Sequence, residues 1–149
     1  MRAVIQRVSR AAVRVEDRTT GEIGAGILVL VGVSNQDTDT DVRYTAEKIA
    51  HLRIFPDETG RMDRSALDVG AAVLVVSQFT LYGDARKGRR PSYSNAAGGD
   101  AARLGYEAVC QRLRDCGLHV ETGEFGADMR VEMVGEGPVT ILLDSTRQF

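Results

Sequence analysis

Two stretches of the chain lose the alternation of apolar and polar positions that marks a half-exposed strand. Ala71-Ala72-Val73-Leu74-Val75-Val76 and Ile27–Val33 are apolar runs rich in β-branched residues, which predicts strands covered on both faces. Ala3–Ser9 and Ala11–Glu16 predict two further strands, the second with Val13 and Val15 alternating against Arg14 and Glu16. Between them and the next run, Asp17–Gly26 has turn chemistry, with Gly21, Gly24 and Gly26.

The period then changes. Asn35–Asp41 is rich in Asp and Thr and opens a helix that places Val42, Ala46, Ile49 and Ala50 on one face. Pro56 disfavours helix at Phe55, so Leu52–Phe55 is expected to be extended, followed by a turn at Asp57–Gly60 and an irregular Asp63–Gly70. Gly83–Gly99 is a long loop by composition. A second helix starts at Asp100, with Ala101, Leu104, Ala108 and Leu113 toward the core, and stops at Gly117. Gly105 weakens it by about 1 kcal/mol relative to Ala. Leu118–Gly123, Met129–Val134 and Val139–Leu143 predict three closing strands. The expected fold is a single α/β domain over residues 1–149: a strongly curved sheet or partial β-barrel with two packed helices.

Composition narrows the function classes. The chain has 149 residues, is 43% hydrophobic and 27% charged, and carries a net charge of −2. That is ordinary for one globular domain and gives no bulk attraction to nucleic acid, so any phosphate contact must come from a local cluster. No apolar run approaches the roughly 18 residues of a membrane span. The start, Met1-Arg2-Ala3-Val4-Ile5-Gln6-Arg7, enters a strand pattern directly, and a cytoplasmic location is expected. Cys110 and Cys116 point in different directions on a helix and are expected to be unpaired thiols. His51 and His119 lie far apart without ligand-like neighbours, and no glycine-rich phosphate loop is present, so neither metal nor cofactor is expected.

Candidate chemistry gathers at three places. At the mouth of the buried strand, Ser77, Gln78 and Thr80 surround Phe79. Ser77 and Thr80 are either nucleophiles or turn-forming hydroxyls, and no Ser-His-Asp arrangement is visible to activate them. Arg86-Lys87-Gly88-Arg89-Arg90 concentrates positive charge in the following loop, either as a solvated surface or as a phosphate clamp for a single-stranded nucleic-acid end, with Tyr93 available to stack on a base. Gly137-Pro138 either enters a strand at an edge, where a missing donor is tolerated, or forms a cis bond that turns two successive carbonyls to one side. Arg7, inside the first strand, is a solvent-facing or stem-buried arginine on pattern alone.

Ser77-Gln78-Phe79-Thr80-Leu81 after a buried strand, with Gly137-Pro138-Val139-Thr140 near the C-terminus, closely resembles the D-aminoacyl-tRNA deacylase family. The likeness extends over the whole chain, through Ile5-Gln6-Arg7-Val8, Thr20–Gly26, Arg53-Ile54-Phe55, Arg90-Pro91-Ser92-Tyr93 and Phe125–Met129. One departure is Gly135-Glu136 ahead of the motif, where many relatives carry a small polar pair.

The resemblance implies an editing esterase that cleaves a D-amino acid from the 3′-terminal adenosine of tRNA, working as a homodimer with active sites at the interface. It implies that Ser77, Gln78, Phe79 and Thr80 form the catalytic stretch, and that Gly137-Pro138 is cis and reaches into the partner's site. There their carbonyls would hold the α-amino group and crowd the place of an L side chain. It further implies that Arg7 fixes that motif, that Met129 and Thr140 help bind substrate, and that Arg86, Lys87, Arg89 and Arg90 contact tRNA. Rejection by rigid backbone predicts that glycyl-tRNA is cleaved too. The competing expectation is a non-catalytic nucleic-acid-binding module on the same fold, using the basic loop.

Overall fold

Both faces of the central strands are covered because the sheet curls around one core while helices cover its outside. The computed structural model describes all residues, Met1–Phe149. Strand β1 (Arg2–Val15) runs antiparallel to β2 (Arg18–Ile23) with its second half and to β3 (Gly26–Gly32) with its first. Helix α1 (Asp39–His51) follows, then the short pair β4 (Phe55–Pro56) and β5 (Met62–Arg64), and the single turn α2 (Ala66–Val69). Strand β6 (Ala72–Ser77) lies parallel to β3. A 3-10 turn (Phe79–Tyr82), helix α3 (Gly99–Asp115), strand β7 (Val120–Thr122) parallel to β6, and β8 (Arg130–Asp144) antiparallel to β1 complete the chain.

Alternation survives inside the apolar runs as a division between two cores. Ile27, Val29, Val31, Val73 and Val75 face α1 and α3, where Val42, Ala46, Ile49, Ala50, Val109 and Leu113 meet them. Leu28, Leu74 and Val76 face the inside of the curled sheet with Val8, Ala11, Val13 and Ile23. The sheet nearly closes into a barrel where β2 meets β7: a methyl group built on Gly21 would stand 2.5 Å from the Thr122 carbonyl oxygen. The two ends of the chain also meet. The Met1 amine donates to Asp37 Oδ1 (2.5 Å) and to Ser145 Oγ (2.6 Å), and Ser145 Oγ donates to Asp41 Oδ1 (2.7 Å).

Several sequence expectations are corrected. Ala3–Ser9 and Ala11–Glu16 are one strand, because irregular register against β8 bends the chain near Arg7 and Ser9 without breaking it. Asp17–Gly26 contains β2, whose polar residues are permitted by an exposed outer face. Asp63–Gly70 holds β5 and α2, the latter started by a capping box in which Ser65 Oγ accepts from Asp68 N and Asp68 Oδ2 accepts from Ser65 N. Met129–Val134 and Val139–Leu143 are halves of β8, continuous through Gly137-Pro138.

On α3 the buried face is Ala102, Tyr106, Val109, Cys110 and Leu113, while Ala101 is exposed and Leu104 is 64% exposed. Gly105 has a packing role, since an added Cβ would lie 2.9 Å from Val33 Cγ1. Cys110 is buried in the helix, and Cys116 lies exposed just beyond its last turn. Burial pushes the Cys110 thiol up to about 11, which keeps it neutral.

Candidate active site

Parallel strands β3 and β6 end side by side, and their carboxyl ends open into a cleft, as expected for a sheet of this kind. The cleft has a volume of about 470 Å³. It is lined by Ser77, Gln78 and Phe79, by Phe125–Met129 and Val131, and by Val33, Val76, Ala97 and the start of α3. The strand is held firmly where it enters the cleft. Tyr106 Oη donates to Val75 O (2.8 Å), Gly123 N donates to the same oxygen (3.0 Å), and Gln78 N donates to Val31 O (2.7 Å).

Past Gln78 the backbone tightens into the 3-10 turn. Leu81 N donates to Gln78 O (3.3 Å) and Gly83 N to Thr80 O (2.9 Å). The amides of Phe79 and Thr80 precede the first of these bonds, the position where a helical turn has no internal acceptor to offer. Phe79 is 53% exposed and meets Tyr93 edge-on with ring centroids 5.1 Å apart. Thr80 is exposed, and its Oγ1 accepts a hydrogen bond from Gln78 Nε2 (2.5 Å). Asp128, exposed, is the one ionisable side chain lining the cleft, and His51 and His119 lie elsewhere. Thr80 therefore has an amide neighbour rather than a base.

Gly137-Pro138 is cis, exposed, and outside this cleft. From Val8 to Gln6 the partner positions on β8 run from Gly135 to Thr140, so the segment bulges out of the ladder. Arg7 braces the bulge from below, donating from Nε to Glu136 O (3.3 Å) and from Nη1 to Ile54 O (2.6 Å). Because Arg7 uses the backbone carbonyl of Glu136, the contact does not depend on the side chain at 136. Met129 lines the cleft, whereas Thr140 sits on β8 opposite Gln6 and away from it.

The four loop cations are not equivalent. Asp84 and Ser92 exchange backbone hydrogen bonds (2.8 and 2.9 Å) that pinch the base of the loop. Arg86 is engaged there in a two-pronged pair with Asp84, Nε to Oδ1 at 2.9 Å and Nη2 to Oδ2 at 2.6 Å. Those hydrogen bonds hold the Asp84 carboxyl well below the usual carboxylate range. Lys87, Arg89 and Arg90 are exposed at the tip. Residues of the site that sequence reasoning missed are Phe125–Asp128 as a wall and Ala97–Gly99 as an end. The Phe-Gly-Ala-Asp run, an aromatic beside a turn, was the available signal.

The fold is a single α/β domain built on a nearly closed mixed sheet with two main helices, with a polar cleft at the carboxyl ends of two parallel strands. Within that class the chain belongs to the D-Tyr-tRNA(Tyr) deacylase family, whose family model matches residues 4–144. A D-aminoacyl-tRNA deacylase of Anaeromyxobacter dehalogenans (strain 2CP-C) is 61% identical over 149 residues, 100% of both chains. One from Thermus aquaticus is 57% identical over 148 residues, covering 99% of this chain and 97% of its own. A solved structure described as a c-Myc DNA unwinding element binding protein is 39% identical with a TM-score of 0.90, covering 97% of this chain and 98% of that one. A structure described as a probable eukaryotic D-amino acid tRNA deacylase, 20% identical with a TM-score of 0.83, covers 95% of this chain and 97% of its own and shares the fold.

Proposed function

We propose that this chain hydrolyses the ester bond of D-aminoacyl-tRNA as a homodimer, releasing the D-amino acid and free tRNA. The observation that carries the reading is the separation of the two halves of the site. Ser77, Gln78 and Phe79 line the cleft, with Thr80 exposed next to them, while Gly137-Pro138 projects from β8 and does not line it. A second copy brings the halves together. β8 suits that role, since it pairs only with β1 and exposes Val131, Met133, Val134 and Leu142 along an open edge.

In this arrangement the carbonyls of Gly137 and Pro138 accept from the substrate's α-ammonium in the partner's cleft and occupy the volume an L side chain needs. An enzyme that must accept many side chains discriminates handedness by exclusion, and backbone excludes more firmly than a side chain that can rotate away. Glycyl-tRNA, with no side chain to exclude, is a substrate on the same logic. The amides of Phe79 and Thr80 stabilise the oxyanion, with Phe79 and Tyr93 available to the terminal base. Lys87, Arg89 and Arg90 face the tRNA backbone, and Arg86 shapes the loop.

Water is the nucleophile, assisted by the 2′-hydroxyl of the terminal ribose. Gln78 beside Thr80 supports this, because an amide cannot take the hydroxyl's proton. Thr80→Ala is expected to keep deacylation within about 10-fold of wild type, a loss small on the scale of a missing nucleophile. A trapped acyl-Thr80 ester would overturn the water mechanism.

The function is tested with matched D-tyrosyl-, L-tyrosyl- and glycyl-tRNA and purified protein. Loss of the D and glycyl esters with the L ester intact is expected. Loss of both tyrosyl esters would reject the role of Gly137-Pro138, and salt-dependent binding without turnover would reject the enzyme reading.

A further inference from the structure

The turn that presents Phe79 and Thr80 is anchored by its other half. Leu81 and Tyr82 are half-buried while Phe79 and Thr80 are exposed, so the catalytic end projects from a foundation it does not share. The foundation has two contacts. The turn rests on the backbone of Gly32 in β3, where an added Cβ would lie 3.0 Å from Gln78 O, 3.2 Å from Leu81 Cβ and 3.3 Å from Tyr82 Cδ2. From the side it is gripped by Arg2, whose Nη1 donates to Leu81 O (3.1 Å) and whose guanidinium carbon lies 4.7 Å from the centre of the Tyr82 ring.

Arg2 is itself fixed. Its Nε donates to Asp144 Oδ2 (3.0 Å), and that carboxylate, only 3% exposed, accepts from Thr146 N (2.7 Å) through Oδ1. In the ladders Arg2 stands opposite Gly32 on one side and Asp144 on the other. One guanidinium therefore joins the start of β1, the end of β8 and the active-site turn.

We propose that Arg2 is a positioning residue for the reaction: it sets the orientation of the Phe79 and Thr80 amides by holding Leu81 and Tyr82. The inference rests on the reading of this cleft as the deacylase site. Preorganised donors lose their advantage when displaced, and a misplacement of about 1 Å costs on the order of 100-fold in rate. Lysine cannot replace the arginine, because an ammonium lacks the planar fork that reaches Asp144 and Leu81 O together while stacking on Tyr82.

The test compares wild type, Arg2→Gln and Arg2→Lys by two readouts. The first is steady-state deacylation of D-tyrosyl-tRNA, where both variants are expected to lose about 10-fold or more in kcat with little change in KM. The second is amide hydrogen exchange, where Leu81 and Gly83 are expected to exchange about 10-fold faster while the β3–β6 ladder is unchanged. Unchanged exchange at Leu81 and Gly83 would overturn the anchoring role. Acceleration spread equally over the whole sheet would reduce Arg2 to a stabilising residue and overturn it as well, as would full activity in Arg2→Lys. If wild-type protein were inert toward D-aminoacyl-tRNA, the reading of the cleft would fall and the catalytic part of this proposal with it. The exchange data would still decide whether Arg2 holds the turn.

Discussion

Gly137→Ala is expected to lower kcat/KM on D-tyrosyl-tRNA by about 100-fold or more while the protein remains folded. Gly137 has φ +129°, a conformation that side-chain-bearing L residues rarely adopt. A Cβ there would lie 2.7 Å from Val139 Cγ2 and 2.9 Å from Val139 N, with Arg7 Nη2 at 3.3 Å. The backbone nitrogen cannot rotate aside, so the bulge must move. The strain is on the order of 1–3 kcal/mol. Because the segment is exposed and bulges out of the ladder, that cost leaves the two cores intact. The carbonyls proposed to meet the substrate shift with the backbone, and a shift of about 1 Å suffices for the expected loss. The measurement is deacylation kinetics beside a thermal unfolding curve. Near wild-type activity in a folded variant would mean that the carbonyls at 137 and 138 do not contact the substrate.

Gly21→Ala is expected to destabilise the fold by about 3 kcal/mol or more, at the upper end of overpacking costs. Its Cβ would approach Thr122 O to 2.5 Å, Thr122 N to 3.1 Å and Leu74 Cδ1 to 3.0 Å. Two of the three atoms are backbone, so β2 and β7 must separate where the sheet closes. Leu74, fully buried inside the barrel, would lose its packing as they do. Gly24→Ala provides the control: nothing lies within 4 Å of its added Cβ, and the change is expected to stay within about 0.5 kcal/mol. Urea unfolding of the three proteins measures both. Equal midpoints would show that the β2–β7 approach contributes nothing to stability.

The site was partly legible in the chain. Ser77–Thr80 stood out because hydroxyls and an amide interrupt a run buried on both faces; Ser77, Gln78 and Phe79 line the cleft, and Thr80 lies outside its lining. Phe125–Met129 share the lining with them, brought alongside only by the crossover from β6 through α3 to β7. Arg86 reads as one of four equivalent cations until folding places it against Asp84. Arg2 carries no signal at all, since its partners at Leu81, Tyr82 and Asp144 are distant in sequence.

By itself the sequence determined the elements whose cause is local or periodic. Val42, Ala46, Ile49 and Ala50 recur at helical spacing, and all four are buried on α1. The runs through Ile27–Val33 and Ala71–Val76 demanded cover on both faces, and both lie between the barrel interior and the helices. What only the tertiary structure decided concerns continuity and closure. A bulged strand and two short strands have the same pattern of side chains, and hydrogen bonds to a neighbour settled that β1 and β8 each run unbroken. The buried face of α3 is set by its neighbours: Gly105 lies against Val33, and Tyr106 Oη reaches Val75 O on β6. The meeting of β2 with β7 depends on a glycine opposite a carbonyl about a hundred residues away. Such an approach is a property of two backbones in space, and side-chain periodicity along one chain does not encode it.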